Sequence, residues 1–365
     1  MHNYKKLFGC LVFLFTEMYV SSGFAIGFHM PNGMRPNISV SQKPPMHNWY
    51  QNPVDVVTNN LQLTAMLPSI SFAIVDVASG ELTKRFIHMR NGFVEKDHSL
   101  WIHGYGKKLN LDNSVKASMM MGGADFGYDV LMYADANNIF VMGPVAGYTY
   151  TGDIETRNRI DANANATIKT SNVGLYGAWV SNSGWFANIS GRMFFTSMGA
   201  TLDDSSSFNH NGKYMASILE LGHEWSHELD TFSQLTFDVI GSFHHLYGFK
   251  SSFGTDDYGD FEYHDVHGIK GGLYGVMAHE IANANLDFIS RPFFRAGLLL
   301  EMDGVMRMRS ATESYENNFG GIMGEIAIGY ELKKDWNKHM FFNLSYSLGR
   351  VIKDTSVNMG LRYNF

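Results

Sequence analysis

Two periodicities divide the chain. From Val54 to Arg90 the aliphatic positions keep a helical spacing, with Leu61, Ala65, Ile70, Ala73, Ile74 and Val77 followed by Leu82, Phe86 and Met89. Asp76, Glu81, Lys84, Arg85 and Arg90 fall on other faces. Pro68 and Gly80 interrupt the pattern, which predicts one interrupted helix or two short ones rather than a single rod. Beyond residue 98 the period becomes two. Trp185, Ala187, Ile189, Gly191, Met193 and Phe195 alternate with Phe186, Asn188, Ser190, Arg192 and Phe194. Phe294, Ala296, Leu298 and Leu300 likewise oppose Arg295, Gly297 and Glu301, and Ile326, Ile328, Tyr330 and Leu332 oppose Glu325, Gly329 and Glu331. Phe342, Leu344 and Tyr346 oppose Asn343, Ser345 and Ser347. At the end, Val357, Met359, Leu361, Tyr363 and Phe365 oppose Asn358, Gly360, Arg362 and Asn364.

Alternation alone fits both a half-buried soluble sheet and a membrane barrel, because each has one apolar face. The polar face separates them. It carries charges and glycines, while the apolar face begins or ends in Trp, Tyr or Phe, as an aromatic girdle at a lipid interface does. Segmenting from Ser99 gives about twelve strands, an even number as in single-chain outer-membrane barrels. Their cores are read at 99–108, 115–132, 139–151, 167–181, 185–200, 212–227, 230–247, 264–280, 289–302, 320–333, 340–350 and 354–365. Tight links such as Asn182 to Gly184 alternate with polar stretches read as long loops, Gly152 to Ala166, Leu202 to Gly212, Gly248 to Tyr263 and Asp303 to Gly320. The fold class expected is an all-β, antiparallel outer-membrane barrel.

Composition agrees. Charged residues make up 17% of the 365 positions and aromatics 14%, with 37 Gly and a net charge of −7, which excludes a disordered chain and an electrostatic nucleic-acid binder. No unbroken run of roughly 20 apolar residues marks a spanning helix, whereas a barrel averages to a soluble hydropathy. Lys5 and Lys6 precede the apolar run Leu7 to Phe15, and Gly23-Phe24-Ala25 offers small residues at −3 and −1 of a cleavage site, so residues 1–25 read as a signal peptide. The only cysteine, Cys10, lies in that run, so an exported chain would carry no thiol. Five of the eight prolines fall between residues 31 and 53, predicting an extended segment over 26–53.

Residues 98–365 resemble the translocator domain of bacterial autotransporters, the type V secretion proteins of Gram-negative cells. The likeness rests on Leu100-Trp101-Ile102-His103-Gly104-Tyr105-Gly106, on Val145-Ala146-Gly147-Tyr148-Thr149 with Gly152-Asp153, and on Val173-Gly174-Leu175-Tyr176-Gly177-Ala178-Trp179. It continues with Gly324-Glu325-Ile326 and Gly360-Leu361-Arg362-Tyr363-Asn364-Phe365. The resemblance implies a lumen plugged by a helix, with residues 54–97 as helix and linker. Arg192, Arg295, Arg362, Glu325 and Glu331 would then face inward and pair with one another or with Asp76, Glu81, Lys84 and Arg85; the alternative is a solvated lumen wall. It also implies that Tyr363 and Phe365 form a C-terminal signal read by the barrel-assembly machinery, with periplasmic chaperones escorting the chain. Outer-membrane lipid and lipopolysaccharide would surround it. Autotransporters carry long passengers, often solenoids, and residues 26–53 cannot hold the three repeats a solenoid needs. A translocator without sizeable cargo is therefore expected.

Catalytic motifs are weaker. His223-Glu224-Trp225-Ser226-His227 fits HExxH, which binds zinc on a helix. On a strand its two histidines stand about 13 Å apart and share no ion, and the alternation of Leu219, Leu221, His223 and Trp225 favours the strand. Asp256, Asp257, Asp260, Glu262 and Asp265, with His264 and His267, could bind a divalent cation but read better as a solvated loop. Asn59-Asn60 lies where some autotransporters cleave themselves, without the surrounding motif. The reading is a non-enzymatic surface or adhesion-related barrel with no cofactor and no metal, its host or surface ligand unidentified. The alternatives are a small solute pore and an outer-membrane hydrolase using Asp256, His264 and His267.

Overall fold

The computed structural model describes residues 53–89, 98–112, 115–158, 163–255, 259–283, 288–310, 314–334 and 337–365, with helix side chains from 60 to 82. The signal peptide and the segment 26–53 up to residue 52 lie outside the described residues, as do the side chains of Lys84 and Arg85.

Two helices, α1 (Pro53–Met66) and α2 (Pro68–Met89), precede fifteen strands. These are β1 (His98–Asp112), β2 (Val115–Ala134), β3 (Asn138–Asn158), β4 (Asn163–Ser181), β5 (Trp185–Leu202), β6 (Ser207–Asp230), β7 (Ser233–Gly248), β8 (Ser251–Thr255) and β9 (Gly259–Tyr263). They continue as β10 (Val266–Ala282), β11 (Phe288–Ser310), β12 (Ser314–Asn318), β13 (Gly321–Lys334), β14 (Lys338–Gly349) and β15 (Ile352–Asn364). Twelve of them, β1–β7, β10, β11 and β13–β15, pair antiparallel in one ring, which β15 against β1 and β10 against β11 close. Closure leaves no unpaired sheet edge in lipid.

The alternation fixes which face is which. On β5, Trp185, Ile189 and Phe195 are exposed on the outside, while Phe186, Asn188, Ser190, Arg192 and Phe194 are buried toward the lumen. The outward belt of Leu175, Ile189, Leu298, Ile322 and Met359 is apolar where a soluble sheet would be polar. One rim is built from tight turns. Asp135 accepts the backbone N–H groups of Asn137 (2.7 Å) and Asn138 (2.6 Å), closing the β2–β3 link. At the β4–β5 link Gly184 takes φ +90°, and a Cβ there would stand 2.3 Å from the Glu224 carbonyl, so only glycine fits.

The opposite rim departs from expectation. The stretches read as long loops are largely strand: β3 and β4 run on to Asn158 and from Asn163, and β8, β9, the end of β11 and β12 make a second sheet beyond the ring. The cause is an apolar core that the wall shares with the helix. Phe208, Phe253, Phe261, Tyr263, Met306 and Met308 point inward there and are buried, so the prolonged ladders bury apolar surface as well as satisfy their backbone. With strands of 12 to 24 residues, against roughly 10 needed to cross a bilayer, the barrel projects beyond the membrane on this side.

The helical segment is interrupted once. Leu67 closes α1 by donating its N–H to the Leu63 carbonyl (3.0 Å), and Pro68 opens α2 at the first helical position, where its missing N–H costs nothing. Gly80 does not break α2; the helix runs through it. Nor is the segment amphipathic. Leu63, Leu67, Ile70, Phe72, Ala73, Ile74, Val75 and Leu82 are all buried, which is the pattern of a helix surrounded on every side. Asn60–Leu82 is long and apolar enough on average to cross a membrane, although polar residues break its apolar run, and it is enclosed by the barrel instead.

The plugged lumen as candidate functional site

Each strand delivers its polar phase into the lumen, and the helix meets it at three levels. Nearest the long-strand rim, Asn60 donates to Asp204 (2.8 Å), the Tyr263 hydroxyl donates to the Ala65 carbonyl (2.5 Å), and Asn317 donates to Ser69 Oγ (2.7 Å). Ser69 Oγ in turn donates to the Met66 carbonyl (2.6 Å) beside the helix break. Phe72 packs between Phe319 and Tyr214, with ring centroids at 6.0 and 6.4 Å.

The middle level carries the charges. The inward phase of β1 runs Trp101, His103, Tyr105, Lys107, and the Lys107 ammonium meets Glu81 at 2.6 Å with Asp354 at 3.9 Å. Lys270 on β10 is bonded to Asp76 and lies 3.9 Å from Glu301. Across the lumen Arg192 donates to the Ala78 carbonyl (3.1 Å) and the Ser79 carbonyl (2.6 Å), and it pairs with Asp125 at 3.4 Å. Its guanidinium lies over the Phe194 ring, 4.9 Å from the centroid. Both acids of α2 with described side chains therefore have a lysine of the wall, as buried carboxylates require.

Toward the short-turn rim, at the level of Leu82 and beyond, wall residues also pair with one another. Leu82 packs among Trp101, Val141, Val145 and Tyr176. Arg362 bonds Ser99 (2.9 Å) and Asp129 (3.1 Å), Tyr176 donates to Asp129, and Trp101 Nε1 donates to the Tyr176 hydroxyl (2.8 Å). On the far side Arg295 pairs with Glu325 at 2.6 Å, and Arg291 pairs with Glu331 at 2.9 Å, with Asp238 and Glu224 each at 3.7 Å.

Of the residues singled out in the sequence, Arg192, Arg295, Arg362, Glu325 and Glu331 are all buried in the lumen, and Arg295 pairs with Glu325. Asp76 and Glu81 pair with Lys270 and Lys107, which sequence reasoning passed over along with Asp125, Asp129 and Arg291. The signal was present: Lys107 stands two residues after Tyr105 in the inward phase, and Lys270 two after Gly268. Tyr363 and Phe365 face outward, with Phe365 N–H donated to the His98 carbonyl (3.1 Å) across the closing seam.

The HExxH stretch lies on β6, where His223 packs against Trp185 and Trp225 at ring distances of 4.8 and 4.4 Å and no helix brings the two histidines together. Among the described residues no group of three or more His, Cys, Asp or Glu is arranged to hold a metal. Asp256 and Asp257 lie outside the described residues; Glu262 pairs with Lys250, whose nearby ammonium holds that carboxyl below its ordinary range.

No family model and no curated protein matches the sequence. Solved structures do match. The β domain of the Bordetella autotransporter BrkA aligns with a TM-score of 0.59 at 16% identity, over 74% of this chain and 100% of that one. The transport unit of AIDA-I from Escherichia coli aligns at 0.64 and 15% identity, over 78% and 98%. The translocator domain of NalP from Neisseria meningitidis aligns at 0.58 and 11%, over 82% and 99%. The fold is that of autotransporter translocator domains, and with its closed ring and apolar belt the barrel belongs to the outer membrane.

Proposed function

We propose that this chain, an outer-membrane barrel with the autotransporter translocator fold, is a non-enzymatic surface barrel. It keeps its own helix seated in the lumen and presents its outer rim, and the chain N-terminal to α1, for an adhesion-related contact. The observation that carries the reading is the engagement of α2 by three wall cations, Lys107, Lys270 and Arg192, which supports a resident plug over an open solute pore. The helix direction supports it further. Asn60 bonds at the long-strand rim while Leu82 packs near the short turns, so the N-terminal end of the helical segment lies toward the side that faces the medium in barrels of this kind. No catalytic step enters the reading. Tyr363 and Phe365, outward on β15, are proposed as contacts for the assembly machinery.

The test is an epitope tag inserted between residues 26 and 53 and probed on intact cells. Detection without permeabilisation, loss on protease shaving, and weaker surface attachment after deletion of that segment are expected. A tag seen only in permeabilised cells, or attachment indifferent to the deletion, would overturn the proposal.

A further inference from the structure

On the outer face two imidazoles from neighbouring strands meet. His245 on β7 and His267 on β10 bring Nε2 and Nδ1 to 3.4 Å, with the rings 5.7 Å apart between centroids. They are diagonal neighbours in the ladder, since His267 lies opposite Tyr247 and His245 opposite Ile269. On β7 Phe243 precedes His245 while Tyr247 and the exposed Phe249 follow it, and on β10 Ile269 and the exposed Leu273 follow His267, so the pair lies near the ends of both strands at the long-strand rim, among aromatic residues. His267 is exposed and His245 half-buried, which leaves the two nitrogens reachable from the medium.

We propose that His245 and His267 form a binding site for a first-row divalent transition metal such as Zn²⁺ or Ni²⁺. The argument is the bite. Two nitrogens at about 2.0–2.1 Å from one tetrahedral ion stand roughly 3.3–3.4 Å from each other, and His245 Nε2 and His267 Nδ1 are 3.4 Å apart. Imidazole is a preferred donor for Zn, Cu and Ni, whereas hard cations take oxygen. The torsion that turns each ring about its Cβ–Cγ bond is soft, so both lone pairs can be aimed at a common point without moving backbone. The pair also sits on a rigid platform, because β7 and β10 are joined along an unbroken ladder from Val266–Gly248 to Ile281–Ser233. Tyr247, its ring 4.9 Å from that of His267, packs against one side of the site. Two protein ligands leave the remaining positions to solvent or to a donor from outside, which makes this an open site, and its ion would clip β7 to β10 at the rim.

The test is calorimetric titration of the full chain, folded in detergent without a polyhistidine tag and stripped with EDTA, using ZnCl₂, NiCl₂ and CaCl₂ alone. One equivalent of Zn²⁺ or Ni²⁺ should bind and be released by EDTA, and H245A or H267Q should each weaken it at least tenfold. H223A and H264A should leave it unchanged, and folding of every variant is checked by its heat-modifiable gel shift. Absence of saturable Zn²⁺ and Ni²⁺ binding, binding indifferent to H245A and H267Q, or equal competition by Ca²⁺, which would assign the ion to the acidic β8–β9 hairpin, would each overturn the site.

Discussion

Arg192 divides its guanidinium between two carbonyls of α2 and Asp125 of the wall, and is almost wholly buried. Replacing it by Met keeps the stem but removes the cation from Asp125, which keeps the Asn172 amide at 3.3 Å, and the side-chain donor from both carbonyls. Breaking a buried pair from one side costs roughly 3–5 kcal/mol, so R192M should lower the urea midpoint of the barrel in micelles, and R192M/D125L should recover part of the loss. An unchanged midpoint would mean the contact is not made. Gly80 invites the opposite change. A Cβ there meets nothing within 4 Å, beside a cavity of about 60 Å³ that Asp76, Glu81, Lys107 and Lys270 help to line. Helix interiors prefer Ala to Gly by roughly 0.8–1.0 kcal/mol, so G80A should raise the melting temperature of the plugged barrel; a lower one would show that α2 needs glycine's freedom. At this scale the sequence tells the phase of a side chain and withholds its partner. Arg192 is readable as inward from its neighbours Ser190 and Phe194. Asp125 is 67 residues away, and the two meet only because the ring brings β2 and β5 to the same side of one helix.

The elements divide in the same way. Strand positions followed from alternation, and Asn182 to Gly184 announced its turn, because period two and a φ-positive glycine are local properties. The second sheet was not legible. Segments such as Gly259–Tyr263 and Ser314–Asn318 are too short and too polar to show a period, and they become strands only because β11 offers a ladder and the end of the helix offers something to cover. Its anchorage of α1 can be tested through Tyr263, whose hydroxyl donates to the Ala65 carbonyl, and Asn317, which holds Ser69. A typical hydrogen bond contributes about 1 kcal/mol net, so Y263F with N317A should speed hydrogen exchange at the α1–α2 junction several-fold while leaving the amides around Gly80 protected. Equal acceleration through Leu82 would show that the helix loosens as one body and that the outer sheet holds no separate part of it.

At the level of the whole molecule, plug and wall are electrostatically complementary: the wall supplies lysines where α2 carries Asp76 and Glu81, and also pairs charges of its own. The ring count and the apolar belt were available from the sequence because each strand repeats them. The complementarity was not, since it joins a helix to strands up to 194 residues away. It has a consequence for transport. A twelve-stranded barrel is wide enough to enclose a helix, and with α2 seated the lumen is filled by apolar contacts and ion pairs. The intact chain in planar bilayers should therefore pass little steady current. Asp76→Asn with Glu81→Gln removes the two α2 carboxylates that Lys270 and Lys107 meet, which should convert silent barrels into flickering ones, and deletion of residues 54–89 should give stable open channels. Large ohmic currents from the intact chain, or silence from the deletion variant in barrels that still show the heat-modifiable shift, would mean that the helix is not what closes the lumen, and the surface role argued from a resident plug would fail with it.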